Sequence, residues 1–253
     1  MASVEIAVVS GDPAFTCDVR LGNLLPAAHD AALRQACDVF AAAVNVGMLS
    51  GAGHDPARSS LEAVDGMVGA PGAREVWRYR GQHVDPGAFR VLRNMLTTHL
   101  PDTAADLVLE VRSPTAGAGR TLDWSALSRV AFPAVFSRVP FELNDEVKDP
   151  PDREVIVRIE FQREVADDHA QRVVTGLEAW EGVVREYGFA DPEAGAMRQR
   201  PPLELGEHHA ASPLSIEYGL YWLNAPADAF NGIVNLLIRV AETEAAIATV
   251  DMG

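Results

Sequence analysis

The stretch from Glu154 to Arg163 restricts this chain more than any other. Val155, Val157, Ile159 and Phe161 alternate there with Glu154, Ile156, Arg158, Glu160 and Gln162. A period of two sends the first set to one side of a strand and the second to the other. Such a strand needs an apolar layer against one face only. The next segment supplies that layer. Val173, Leu177, Trp180, Val184 and Tyr187 recur at three- and four-residue spacing, the stripe of an amphipathic helix, with Asp167 or Asp168 expected as its cap and Gly188 as its end.

This strand-then-helix grammar occurs about four times. Leu214, Ile216, Tyr218, Leu220 and Trp222 alternate before the turn Asn224-Ala225-Pro226, and Pro226 suits the first turn of a helix striped by Phe230, Ile233, Val234, Leu237 and Val240. A last strand is expected near Ala245 to Val250. Ile159-Glu160-Phe161 recurs as Ile216-Glu217-Tyr218. Earlier in the chain, Phe15, Cys17, Val19 and Leu21 precede an alanine-rich helix from about Leu24 to Val46. Trp77 and Tyr79 alternate with Arg78 and Arg80, Asp85-Pro86 opens a helix through Leu96, and Leu107, Leu109 and Val111 mark another strand.

The pattern predicts an α+β protein of two halves, each with an antiparallel sheet carrying helices on one face. Each half resembles the ferredoxin-like split βαβ arrangement. In the second half that shape requires a further strand between Asp191 and Glu207, placed at Leu203 to Leu205. The acidic, proline-containing stretch around Pro150-Pro151 reads as a linker, so the expected division is 1–143, linker 144–153, and 154–253. The glycine-rich stretch from Gly47 to Gly72 is expected to hold a short helix at Ser59 to Val68 or to form a loop over a site.

Composition narrows the function classes. With 48% hydrophobic and 23% charged residues among 253, the chain has enough apolar material for a core. Its formal charge of −15, with Lys148 the one lysine among 21 basic residues, opposes binding to nucleic acid or anionic lipid. No apolar run approaches the roughly 20 residues of a membrane span, and Met1 to Glu5 carries no basic leader, so a cytoplasmic protein is expected. Cys17 and Cys37 cannot make a disulfide framework or a cysteine zinc site, and buried reduced thiols are expected.

Motifs for chemistry are sparse. Glu207-His208-His209 is the nearest to a metal motif, but adjacent histidines on a strand point apart, and an exposed loop pair is the simpler expectation. His169, beside Asp168 in a first helical turn, has the setting of a general base; so, with less support, do His29-Asp30 and His83-x-Asp85. Gly47 to His54 lacks the Gly-Lys-Ser/Thr ending of a phosphate loop and the third glycine of a dinucleotide fingerprint, so no cofactor and no metal are expected.

The densest polar signal lies opposite the apolar rows. There alternation sets Asp18, Arg20, Arg78, Arg80, Glu110, Arg112, Arg158, Glu160, Glu217 and Tyr221 on open sheet faces. The expected function is binding or interaction through such a face, with a small anionic molecule or a second copy as partner. Two alternatives stand beside it. In one, an enzyme holds a small anionic metabolite with Arg78, Arg80, Arg112, Arg158 and Tyr221 while Glu160, Glu217 or His169 moves a proton. In the other, the chain is an acidic inhibitor of a basic protein.

Overall fold

The computed structural model describes residues 6–7, 14–21, 27–50, 55–64, 76–85, 87–99, 107–112, 121–122, 138–148, 154–190, 205–221 and 225–253. The chain runs β1 (Ile6–Ala7), β2 (Ala14–Leu21), α1 (Ala27–Asn45), β3 (Ser60–Ala63), β4 (Val76–Gln82), α2 (Ala88–Thr98), β5 (Leu107–Arg112) and β6 (Thr121–Leu122). It continues with β7 (Glu142–Asp145), β8 (Glu154–Phe161), α3 (Asp167–Arg185), β9 (Leu205–Ser212), β10 (Ser215–Tyr221), α4 (Phe230–Thr243) and β11 (Ile247–Met252). The class is mixed α+β.

Two sheets carry the architecture. The N-terminal sheet is antiparallel with strand order β3-β4-β2-β5. The C-terminal sheet has order β7-β11-β8-β10-β9, antiparallel except for the parallel pair β7 and β11. β1 and β6 form a separate two-stranded pair. The alternating row behaves as its period demands: Val155, Val157, Ile159 and Phe161 are buried while Glu154, Arg158 and Glu160 are exposed.

One buried cluster joins everything between the sheets. It includes Phe40, Val44, Phe89 and Leu92 from α1 and α2, Leu177, Trp180, Ile233 and Leu237 from α3 and α4, Leu61 and Tyr79 from the N-terminal sheet, and the inward row of the C-terminal sheet from Val155 to Phe161. α1 packs directly on α3, and an added Cβ at Gly182 of α3 would lie 3.1 Å from Val39 of α1. The layers are therefore sheet, helices, helices, sheet, and the outer faces of the two sheets look away from each other.

Two buried asparagines tie the layers. Asn94 of α2 donates to the carbonyls of Gly188 (3.0 Å) and Ala190 (2.8 Å) just beyond α3. Asn235 of α4 donates to those of Met48 (3.3 Å) and Ser50 (2.9 Å) just beyond α1. Each amide thus satisfies carbonyls of the turn that follows a helix in the other layer. The ring pairs Phe40–Phe89 (6.2 Å between centroids) and Trp180–Phe230 (5.2 Å) occupy corresponding places in the two helix layers.

Several local expectations change. Ser59 to Val68 does not begin as a helix: residues 60–63 are β3, whose Leu61 backbone exchanges two bonds with the Asn45 side chain (2.8 and 3.2 Å) on one side and pairs with β4 on the other. Of the strand expected at Leu203 to Leu205, residues 203 and 204 lie outside the described residues, and Leu205 opens β9, Leu205–Ser212. Glu142–Asp145, which spans the expected start of the linker, is an edge strand whose parallel partner β11 satisfies its backbone despite its acidic side chains.

α3 is capped by Ala166 in extended conformation, not by an aspartate, and Asp167 and Asp168 sit in its first turn, where their charge complements the helix dipole. Its end turns through Tyr187 in the left-handed region (φ 60°), the place taken after α1 by Gly47 (φ 81°). Gly188 is needed for closeness rather than for its φ. A Cβ there would lie 2.6 Å from Val183 Cγ1 and 2.8 Å from Val91 Cγ1. Ile159 and Ile216, matched in the recurring tripeptide, are direct cross-strand partners.

Candidate functional site

The outward face of the C-terminal sheet is built by register. β10 sets Glu217 opposite Arg158 of β8, which lies opposite Asp251 of β11, which lies opposite Asn144 of β7. The next row runs Ser215, Glu160, Thr249 and Glu142, and on the other side Tyr221 lies opposite Glu154, with Glu207 of β9 opposite Gly219. Because α3 and α4 cover the opposite face, nothing among the described residues covers this one. Among the described residues of its strands it carries Glu142, Glu154, Glu160, Glu207, Glu217 and Asp251 against Arg158.

Arg158 is engaged within the face. Its Nη2 and Nε donate to the same Glu217 oxygen at 2.7 and 3.2 Å. That hydrogen bond and the Glu217 charge, helped by Asp251 and Glu160, hold the guanidinium above its ordinary pKa. Asn144 donates to Asp251 Oδ1 at 2.7 Å. Partial desolvation and the nearby carboxylates of Glu154, Glu207 and Glu217 push the Tyr221 phenol upward, so it stays a neutral hydrogen-bonding group. An open depression of about 400 Å³ lies beside Arg158, lined by Asn144, Glu146, Ile156, Glu217, Asp251 and Met252.

The remaining candidates are elsewhere. Arg78 and Arg80 are exposed on β4 of the N-terminal sheet, with Asp18 opposite Arg78 and Glu62 opposite Arg80; Arg112 stands opposite Thr16 in the row of Arg80. The helix layers separate these arginines from Arg158, Glu160, Glu217 and Tyr221. His169 belongs to the helix layer too: its Nδ1 lies 3.2 Å from Asp168 Oδ1 at the start of α3, on the far side of the sheet from Glu160 and Glu217. Partial desolvation pushes Asp168 up, but His169 and Arg172 outweigh it and hold that carboxyl below its ordinary value. The structure brings Arg158, Glu160, Glu217 and Tyr221 onto one face and does not bring Arg78, Arg80, Arg112 or His169 to it.

Glu207 and His208 are exposed on β9, an edge strand rather than a loop. The register shift opposite Glu217 and Tyr218 inserts His209 as an extra residue between His208 and Ala210. Among the described residues no group of three or more His, Cys, Asp or Glu side chains is placed to hold a metal ion, and no helix is long and apolar enough to cross a membrane. Cys37 is buried, and burial pushes its thiol up to about 12.

Sequence reasoning passed over a polar set on the inner side. Tyr218 donates to Glu181 Oε2 at 2.7 Å, Arg185 holds the other Glu181 oxygen, and the carboxylate sits where a side chain on Gly206 would have to go. Gly206 was the available signal, since a glycine inside a strand marks close approach. This set ties β10 to α3 and seats the Glu181 carboxylate against β9 at Gly206. Asn144 and Asp251 of the outer face were also passed over, because their strands alternate weakly. No protein-family model matches the chain, and no curated protein matches it as a relative.

Proposed function

We propose that this is a binding protein that works through the outward face of its C-terminal sheet, carried on two ferredoxin-like halves, 1–143 and 154–253, joined through 144–153. The support for the halves is topological. Each sheet takes two β-α-β units, and its strands, counted within the half, stand in the order 2-3-1-4, with β7 added at the edge of the second. The observation that carries the binding function is the row Glu217–Arg158–Asp251–Asn144. It is polar, preorganised by its own hydrogen bonds, open on one side, and beside a depression.

An enzyme using Arg78, Arg80, Arg112 and Arg158 together is disfavoured by the helix layers between the two groups. An anion approaching Arg158 would have to displace Glu217 while surrounded by other carboxylates. The test is a thermal-shift panel of metals, small anions and charged peptides together with sedimentation, run on the full chain and on the double variant Arg158→Ser/Glu217→Ser. A ligand response or self-association lost in the variant, with the unliganded melting temperature unchanged, is the expected result. Responses that ignore the variant, or none at all, would overturn the proposal.

A further inference from the structure

We infer that the partner of this face is a basic protein, presenting an arginine- or lysine-rich surface to the C-terminal sheet; the inference rests on the binding face proposed above. Its first support is sign. Among the described strand residues, six carboxylates, of Glu142, Glu154, Glu160, Glu207, Glu217 and Asp251, share one face with a single arginine that is already bonded to Glu217. The outward face of the N-terminal sheet differs. There the described exposed charges are Arg78 and Arg80 of β4 beside Glu62 of β3, arginine outnumbering carboxylate. The described charges are therefore not spread evenly over the two outward faces. One of them is selectively anionic.

Extent is the second support. Five strands about 4.8 Å apart, and the stretch from Glu154 to Glu160 at about 3.3 Å per residue, spread these carboxylates over roughly 20 by 20 Å. A small cation would neutralise one or two of them. Only a surface with several spaced cations matches the set, and roughly 400 Å² is half of one side of a standard interface, the size of the charged centre of a transient complex. Tyr221, flanked by Glu154, Glu207 and Glu217, offers an aromatic face where a guanidinium can stack while forming carboxylate bonds. Two copies of this face would repel each other, which sets a second copy apart as occupant.

The test separates this face from the general negative charge of the molecule. In one variant Glu142, Glu154, Glu160 and Glu207 become glutamine. In the control the same change in net charge is made at Asp38, Glu178, Asp228 and Glu242, exposed residues of the helix layers. Binding of an alternating arginine–serine peptide, measured by calorimetry at moderate salt, is expected to weaken about tenfold or more in the face variant and by less than about twofold in the control. Equal losses in the two variants, or no peptide binding to the unaltered chain, overturn the inference. If instead a small anion or self-association proves sensitive to Arg158→Ser/Glu217→Ser, the basic partner is wrong and the binding face stands; if nothing responds to that variant, both fall.

Discussion

The two sheets with their helices follow one plan, and they differ where that plan leaves them free. β2 and β8 are both eight residues and start 140 positions apart (14 and 154); α1 and α3 are both nineteen residues and keep the same offset (27 and 167). Their buried positions coincide except at Val174, whose counterpart Arg34 is exposed: Leu33 with Val173, Ala36 with Gly176, Cys37 with Leu177, Phe40 with Trp180, Ala43 with Val183, Val44 with Val184. At matching register positions the two sheets have different charged residues. The row Arg78–Asp18–Glu110 corresponds to Glu217–Arg158–Asp251, so two of its three signs are exchanged. Packing constrains the inside by volume, whereas an exposed ion pair contributes little to stability and lets sign drift.

The sharpest way to break this comparison is at the paired rings. Trp180→Ala should cost about 4–5 kcal/mol, since it opens a large cavity and removes the indole bond to the Ala229 carbonyl (2.8 Å), and Phe40→Ala about 3–4 kcal/mol. Urea unfolding reads both. Each variant should lose stability in one cooperative transition, because a single core crosses all four layers; two separated transitions in either would mean that the layers unfold independently.

Next come the asparagines. Asn94→Ala and Asn235→Ala each strand two buried carbonyls and should each cost about 2–3 kcal/mol by the same measurement. A difference above about 1.5 kcal/mol between them would show that the two ties are not equivalent.

Alkali sharpens the contrast between Cys37 and its counterpart Leu177. A thiol pushed up to about 12 binds its proton more tightly folded than unfolded, so its contribution is complete below the unfolded value near 9 and is lost as pH rises from there toward 12. Tyr218, raised by burial and by Glu181, adds a loss in the same direction above about pH 10. Stability of the unaltered chain should therefore fall above about pH 9, by up to about 1.4 kcal/mol per pH unit for each group, and Cys37→Ala should flatten the first part of that fall. A slope that Cys37→Ala leaves untouched would remove the thiol from the account.

The smallest effect belongs to the outer row. Arg158→Ser/Glu217→Ser should leave the melting temperature unchanged within error, because the two groups pair on an open sheet face, where an ion pair contributes little to stability. A clear drop would mean that the row supports the fold rather than a partner.

What could be read in the sequence was what repeats with a period. β8, α3, β10 and α4 alternate or stripe cleanly because one side of each is buried against a continuous core, and their limits fall within a few residues of expectation. β9 was legible only as a place where a strand ought to be. Gly206-Glu207-His208-His209-Ala210-Ala211 has no apolar row, since an edge strand with a bulge is held by its backbone bonds to β10. β7 reads as a linker for the same reason: its bonds come from β11, and its side chains are mostly exposed. The open face was legible residue by residue at Arg158, Glu160 and Glu217. Its separation from Arg78 and Arg80 was not, because a period says which side of a strand is wet but not which way two sheets turn.

The parallel pairing of β7 has a consequence for the order in which this molecule can be made. β11 is threaded between β7 and β8, so neither neighbour has its full set of backbone partners until Ile247–Met252 has left the ribosome. The C-terminal sheet must therefore wait, its central gap open, while β2 to β5 already have every strand they need. Synthesis itself thus imposes a direction on assembly, with the early helices, α1 foremost, available as the surface on which α3 settles before the late strand closes the gap.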